Sequence, residues 1–267
     1  MKLIKNFLYT IYNNRHMMSA MVKRDIYTKY AGSYLGLIWT IVHPISQIII
    51  FSFVFAIVLR IRIGPEFVGV NFTEWLICGL IPWLYFVEVL SRSPNIILDH
   101  VSLVTKMKIN SEILAINNVL SGLINHGIYM FMFLVYLAIT GIHFKITILY
   151  VPVYLVGISF FMLGLSWIIG SLNVFLRDVG QVIGVLLNLW FYFTPIIYPV
   201  NAIPDAFKVY LELNPVYYIV QGYRIIFLSN EPINHFGLLY LYGTGIVCFT
   251  VGGLVFRKLK KGFADVL

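Results

Sequence analysis

The sequence predicts an all-α integral membrane protein. It has six transmembrane helices, an N-terminal amphipathic interface helix, and short re-entrant or interfacial helices between the fifth and sixth spans. Two observations carry this. The 267 residues are 60% hydrophobic and only 11% charged, with a mean hydropathy of +0.87, whereas an average domain carries about 25% charged residues. Six apolar stretches also approach or exceed the roughly 20 residues that a bilayer-spanning helix needs. The loops between them reach only about 35 residues, too few for a separate soluble domain. The chain therefore reads as one transmembrane domain over 1–267.

Residues 1–34 precede any span. Leu3, Ile4, Phe7, Leu8, Ile11 and Tyr12 recur at helical spacing. After a break at Asn13-Asn14, a second stripe of Met18, Val22, Ile26 and Tyr30 runs beside Lys23, Arg24 and Lys29. Basic amphipathic helices of this kind lie in a membrane surface. The apolar runs are too short and too broken to read as a cleavable signal.

The first span is 35–59. Gly36, Thr40, His43 and Gln47 form a small or polar stripe along it, and Pro44 is expected to kink it. The second span is 72–90, with Glu74 and Glu88 near its ends and Pro82 inside. Residues 91–112 make a short loop whose apolar face over 95–105 reads as a surface helix. The third span, 113–139, carries Asn118, Ser121, Gly122 and Asn125 on one side, as interhelical packing would use them. A tight turn leads to the fourth span, 146–174.

The fifth span, 179–197, is unlike a lipid-facing helix. Gln181, Gly184, Asn188, Tyr192 and Pro195 share one face, and Trp190, Phe191, Tyr192 and Phe193 crowd its far half. That face reads either as packing glue between helices or as the wall of a water-filled path, and the sequence leaves both open. Aromatic faces with polar tips suit the C–H faces and hydroxyls of sugars. Residues 198–234 then hold two helix starts, at Pro204-Asp205 and at Asn214-Pro215, with Asn214 as a cap. The expected helices, 205–213 and 216–228, are too short to span and read as lying on, or dipping into, the membrane. The last span is 236–256, followed by a basic tail.

Six spans place both termini on one side. That side holds 14 of the 19 Lys and Arg residues. The positive-inside bias makes both termini cytoplasmic and turns 198–234 outward. In a membrane protein the +8 net charge speaks for anionic lipid, not nucleic acid. Cys78 and Cys248 sit singly in apolar stretches, with neither a disulfide framework nor a metal spacing.

No Asp, Glu, Lys or Arg lies mid-span, which disfavours a proton- or ion-coupled carrier. No phosphate-binding loop is present, and neither a G-x-S-x-G nor an HExxH motif is found. A transporter so equipped needs a partner to drive it.

These residues resemble the permease subunit of polysaccharide ATP-binding-cassette exporters, the O-antigen, capsule and teichoic-acid group. The likeness rests on Arg24-Asp25 with Tyr30, Ser33, Leu35-Gly36, Trp39 and Pro44, and on Gly79-Leu80 with Pro82-Trp83. It continues through Leu172-Asn173 with Arg177-Asp178, the run Phe193-Thr194-Pro195-Ile196-Ile197-Tyr198, and Asn214-Pro215 with Arg224.

The resemblance implies a homodimer bound to two copies of an ATP-binding-cassette ATPase subunit. This chain itself then carries no cofactor, and ATP and Mg²⁺ belong to the partner. It implies a location in the cell inner (cytoplasmic) membrane and a lipid-linked polysaccharide substrate on a polyprenyl diphosphate. It implies a channel along the first and fifth spans, with Trp39, His43, Gln47, Gln181, Asn188, Trp190, Tyr192 and Phe193 as the candidates to line it. Arg24, Asp25, Arg177 and Asp178 would form the cytoplasmic mouth, where a guanidinium can pair with the lipid diphosphate. Asp99, His100 and Lys106 would meet the ATPase, and Pro204, Asn214, Pro215 and Arg224 would build an outer gate. At the start of the third span the chain reads Ile109-Asn110-Ser111-Glu112, where the family often has prolines. Two rivals remain: an exporter of a small hydrophobic compound, and a membrane enzyme acting on lipid-linked sugars through Glu88, Asp99-His100 or Asp178.

Overall fold

A computed structural model describes residues 2–28, 32–67, 69–105, 110–142 and 145–267. The described chain is helical, with no strand among the described residues. Helix α1 covers Lys2–Thr28, and α2 (Trp39–Phe51) continues as a π-helix over Ser52–Val58. Then come α3 (Phe72–Arg92), the short α4 (Val101–Thr105) and α5 (Glu112–Thr140). A 3-10 turn at Ile146–Tyr150 leads into α6 (Val151–Phe175), followed by α7 (Val179–Phe193). The chain closes with α8 (Asp205–Glu212), α9 (Pro215–Leu228), α10 (His235–Leu259) and α11 (Phe263–Val266).

Among the described residues, five helices are long and apolar enough to cross a membrane: Trp39–Val58, Phe72–Asn95, Glu112–Thr140, Ile146–Phe175 and His235–Gly262. The chain is an integral membrane protein. The expected fifth span falls short of that length. Helix α7 has 15 residues and stops at Phe193, not at 197; at 1.5 Å per residue it is about 22 Å long, less than the ~30 Å hydrocarbon layer.

The N-terminal segment also differs from its expectation. One helix runs through Asn13-Asn14, where the sequence suggested a break. Two interior asparagines cost a helix only about half a kcal/mol each, and tertiary contacts override that. Arg15 secures the same turn, with its guanidinium 4.4 Å over the Tyr12 ring and a 2.9 Å bond to the Tyr12 carbonyl.

Helix α3 forms the centre of the bundle: 78% of its most apolar window is buried, against 6% for α2. Polar residues of α5 face it, as the sequence suggested. Asn118 donates to the Val89 carbonyl (2.8 Å), and Asn125 to the Glu88 carboxylate (2.6 Å). Helices α6 and α10 touch backbone to backbone. A Cβ at Gly164 would lie 2.3 Å from the Cys248 carbonyl, and one at Gly252 would lie 2.3 Å from the Gly164 carbonyl. Small residues at such crossings let membrane helices approach closely.

Helix α9 is enclosed by the bundle. Tyr223 shares a 2.9 Å hydrogen bond with His126, close to the midpoint of α5, and Gly222 lies against the Tyr154 ring of α6. The preceding α8 remains on the surface, with Phe207, Val209 and Tyr210 exposed. Contacts separate the two ends of the bundle. At one, Lys260 pairs with Glu112 at 2.8 Å; at the other, Lys145 binds the Ser229 carbonyl and the Asn230 side chain, each at 2.8 Å.

Candidate functional site

Proline chemistry shapes the far end of α7. Pro195 has no N–H to continue the helix and disfavours helical backbone at the residue before it. Thr194 is accordingly extended, at φ −109° and ψ 128°. Its hydroxyl donates to the Trp190 carbonyl at 2.9 Å. The carbonyls that follow still need donors, and the negative end of a helix favours a cation there.

Arg224 supplies both. From the middle of α9 it donates to the Pro195 carbonyl (2.7 Å) and the Ile196 carbonyl (2.8 Å), with a longer contact to the Trp75 carbonyl (3.4 Å). Its guanidinium lies 3.4 Å over the Trp75 ring, and the residue is fully buried. Gly79 makes room, because a Cβ there would sit 2.8 Å from Arg224 Nη2.

Asn214 closes the corner from the other side. Its Oδ1 accepts from Trp190 Nε1 (2.9 Å) and from the Val216 N–H (3.0 Å), and its Nδ2 donates to Thr194 Oγ1 (2.9 Å). Asn214 thus caps α9, as its sequence position suggested, and also ties α9 to α7. Pro215 is the first residue of α9, whereas Pro204 stands exposed one residue before α8. On α8, Lys208 lies 2.6 Å from Asp205 and holds that carboxyl below its usual range.

The two striped helices are sparsely covered. On α7, Gln181, Gly184, Asn188, Tyr192 and Phe193 are exposed, and nothing stands within 4 Å of a Cβ built at Gly184. Only Leu187 and Phe191 of α7 are buried. Phe191 stacks on Phe51 of α2 at 5.6 Å and lies 5.5 Å from Trp83. Trp190 sits apart from the exposed stripe: it meets Phe86 edge-on at 5.0 Å and is held by Asn214. On α2, His43 is exposed, Trp39 and Gln47 are half-buried, and Thr40 and Pro44 are buried. The Trp39 ring lies 5.1 Å from His43, and its N–H reaches Ser33 at 3.0 Å.

At the opposite end a polar knot joins four elements. Asp25 of α1 accepts from Asn117 of α5 at 2.7 Å and lies 3.9 Å from Arg92 and 3.8 Å from Arg24. Arg24 donates to Nε2 of His100, which directs the His100 Nδ1 proton to the Ile96 carbonyl at 3.0 Å. A cavity of about 160 Å³ opens here, lined by Asp25, Arg92, Asp99, His100 and Asn117 among others. Arg24, Asp25, Asp99 and His100 therefore meet in one cluster. Arg177 and Asp178 are exposed in the turn before α7 and do not line it. Lys106 lies outside the described residues.

One residue with no assigned role connects this end to α7. Asn173, at the end of α6, donates to the Pro94 carbonyl (2.9 Å) and accepts from the Gly180 N–H (3.1 Å). It is 2% exposed. Sequence reasoning also passed over Arg92, Asn117, Trp75 and the structural use of Gly79. A buried asparagine gives no signal of its partners, which lie 79 and 92 positions away in the chain for Asn173 and Asn117.

Comparison with known proteins fits this arrangement. Residues 17–228 match the membrane family described as ABC-2 type transporter. The O-antigen export system permease protein RfbA of Myxococcus xanthus is 27% identical over 257 residues, 96% of either chain. The RfbA protein of Klebsiella pneumoniae is 28% identical over 252 residues, covering 94% of this chain and 95% of its own. The polysialic acid transport protein KpsM of Escherichia coli is 23% identical over 246 residues, covering 91% and 93%. The chain therefore belongs to the ABC-2 type transporter membrane family, whose members are transport permeases and not enzymes.

Proposed function

We propose that this chain is the transmembrane subunit of an exporter. It carries a lipid-linked polysaccharide across the cytoplasmic membrane, driven by a separate ATP-binding-cassette ATPase that holds the ATP and Mg²⁺. The relatives named for O-antigen export and polysialic acid transport support the cargo class. The observation that carries the reading is the uncovered, partly polar wall made by α2 and α7. A second copy of the chain, facing the first, encloses that wall. Helix α7, together with the residues after it, makes the fifth of six crossings in chain order, and the termini are cytoplasmic.

A polymer rich in hydroxyls cannot enter hydrocarbon, because each unsatisfied polar group costs several kcal/mol there. It needs a wet path that holds each sugar weakly. Gln181, Asn188, Tyr192 and Phe193 of α7, with His43 and Gln47 of α2, provide amides, a phenol and aromatic faces for that purpose. Trp190 serves this wall indirectly, by fixing Asn214. Arg24, half-exposed at the cytoplasmic end, can turn toward a lipid diphosphate, and the segment 93–105 meets the ATPase. Motion of that segment then reaches α7 through Asn173, which binds both Pro94 and Gly180.

The test is deletion of the gene followed by assay of two pools, surface polysaccharide and cytoplasmic lipid-linked polymer. Loss of the first with accumulation of the second is the expected result. Persistence of surface glycan refutes polymer export in favour of a small-molecule cargo, and loss of both pools refutes it in favour of an earlier, enzymatic step. In the complemented strain, Tyr192→Ala slows export while the assembled complex persists.

A further inference from the structure

Helix α1 contacts α5 along one stripe and leaves one flank unfilled. The stripe is Met18, Met21, Val22 and Asp25, all buried, and Asp25 fixes the crossing through Asn117. Beside this stripe a gap remains between the two helices. A groove of about 550 Å³ opens there, with Met18 and Val22 on one wall and Leu120, Leu123 and Ile124 on the other. Leu120 and Ile124 are 37% and 44% exposed. They lie eight to twelve residues beyond Glu112, about 12–18 Å along the α5 axis from that residue.

The rim of this groove is basic. Arg15, Ser19 and Lys23 line it at i, i+4 and i+8, so all three stand on the same flank of α1. The two cations are about 12 Å apart along the helix axis, with a hydroxyl between them. None of the described lining residues is acidic. The Tyr12 ring and carbonyl steady the Arg15 guanidinium near the mouth. The opposite flank of α1 is occupied differently: there Arg24 turns to His100. The groove thus combines an apolar floor with two cations and a hydroxyl on its rim, which match an acyl chain and its phosphate. Neither a soluble ligand nor a protein helix needs both at that spacing.

We propose that this groove seats one anionic phospholipid per chain, an acyl chain lying on Met18, Val22, Leu120 and Ile124 and the phosphate held by Arg15 and Lys23. The bound lipid fills the wedge between α1 and α5. It holds α1 at the angle that keeps the Asp25 cluster closed. The proposal needs α1 at the cytoplasmic membrane surface and is independent of the cargo.

The full complex is purified from nanodiscs containing equal phosphatidylcholine and phosphatidylglycerol, and the retained lipids are counted by native mass spectrometry. The wild type is expected to keep one phosphatidylglycerol per chain in preference to phosphatidylcholine. Arg15→Gln and Lys23→Gln should each weaken that preference about fivefold, the factor that corresponds to ~1 kcal/mol per basic residue near the surface. Leu120→Trp fills the groove without changing charge and should also abolish retention. Lys258→Gln with Lys261→Gln, in the exposed tail, should leave it unchanged.

Equal retention of the two lipids by the wild type overturns the proposal. So does undiminished retention in the Arg15→Gln, Lys23→Gln double variant, or an equal loss in the tail variant, which reduces the effect to general surface charge. Displacement of phosphatidylglycerol by equimolar polyprenyl phosphate through the same two residues assigns the groove to a lipid carrier and also overturns it. Because binding is measured apart from export, failure here leaves the transport reading untouched, and the reverse holds.

Discussion

Replacing Arg224 with methionine tests how the C-terminal end of α7 is held. Methionine nearly preserves the volume and removes the charge. Two short bonds, to the carbonyls of Pro195 and Ile196 at 2.7 and 2.8 Å, disappear, together with stacking on Trp75. Each buried carbonyl left without a donor costs about 1–3 kcal/mol, and a desolvated cation–π contact adds up to ~2. Against this, the fold no longer has to bury a guanidinium, which offsets several kcal/mol. The net loss is roughly 3 kcal/mol. Arg224→Lys keeps the charge but loses the planar fork, and should cost about half as much.

Gly79→Ala provides the control, because its Cβ would press Arg224 Nη2 at 2.8 Å. In the Arg224→Met background that clash is gone. The two substitutions should therefore be non-additive by about 1 kcal/mol or more in a double-mutant cycle. Thermal unfolding of the purified protein, followed by tryptophan fluorescence, reads stability, and surface polysaccharide reads export. Unchanged melting and export in Arg224→Met, or strict additivity with Gly79→Ala, would refute the argument that this cation holds the corner.

Three further substitutions probe other contacts. Gly164→Leu places a side chain where the α10 backbone already stands 2.3 Å from a Cβ, so α6 and α10 should separate and membrane levels of the protein fall severely; wild-type levels on a membrane immunoblot would contradict the packing. Asn214→Ala removes the N-cap of α9 and leaves Trp190 Nε1 and Thr194 Oγ1 without their partner, for a loss of about 2–3 kcal/mol in the same melting assay. Asn173→Asp keeps the acceptor for the Gly180 N–H but sets a carboxylate against the Pro94 carbonyl, so ATP hydrolysis by the assembled complex should persist while export drops tenfold or more. Parallel loss of both activities would reduce Asn173 to a folding role.

Periodicity reveals which residues share a helix face, and it served well here. It located the five long apolar helices to within a few residues and identified α2 and α7 as unusual. Cap chemistry was equally local: Asn214-Pro215 opened a helix where the sequence said it would. Two features escaped it because they depend on contacts distant in the chain. Helix α9 looks like a surface segment by length and composition, yet Arg224 finds carbonyl partners 28 and 29 residues earlier and an aromatic face on α3, and with them the helix enters the bundle. Asp25 and His100 were legible as polar residues near a membrane surface. The meeting of Arg24 with His100 across 76 positions was not, since no spacing rule links α1 to the segment after α3. The early stop of α7 was partly legible in Pro195, whose effect on Thr194 follows from sterics alone.

The enclosed position of α9 also bears on how the protein is made. A segment with an arginine at its centre is rejected from lipid by about 2.5–3.5 kcal/mol during insertion. It cannot partition from the translocon as α3, α5 and α6 can. The groups that accept Arg224 come from α3 and from the turn after α7, all synthesised before α9. The α10 wall, which packs Gly237 on Tyr218, comes after it. Helix α9 should therefore wait at the membrane edge until α10 has crossed, and then enter a slot already shaped for it. The last step of biogenesis is then the docking of a pre-formed helix, and a chain truncated before α10 would leave Arg224 outside.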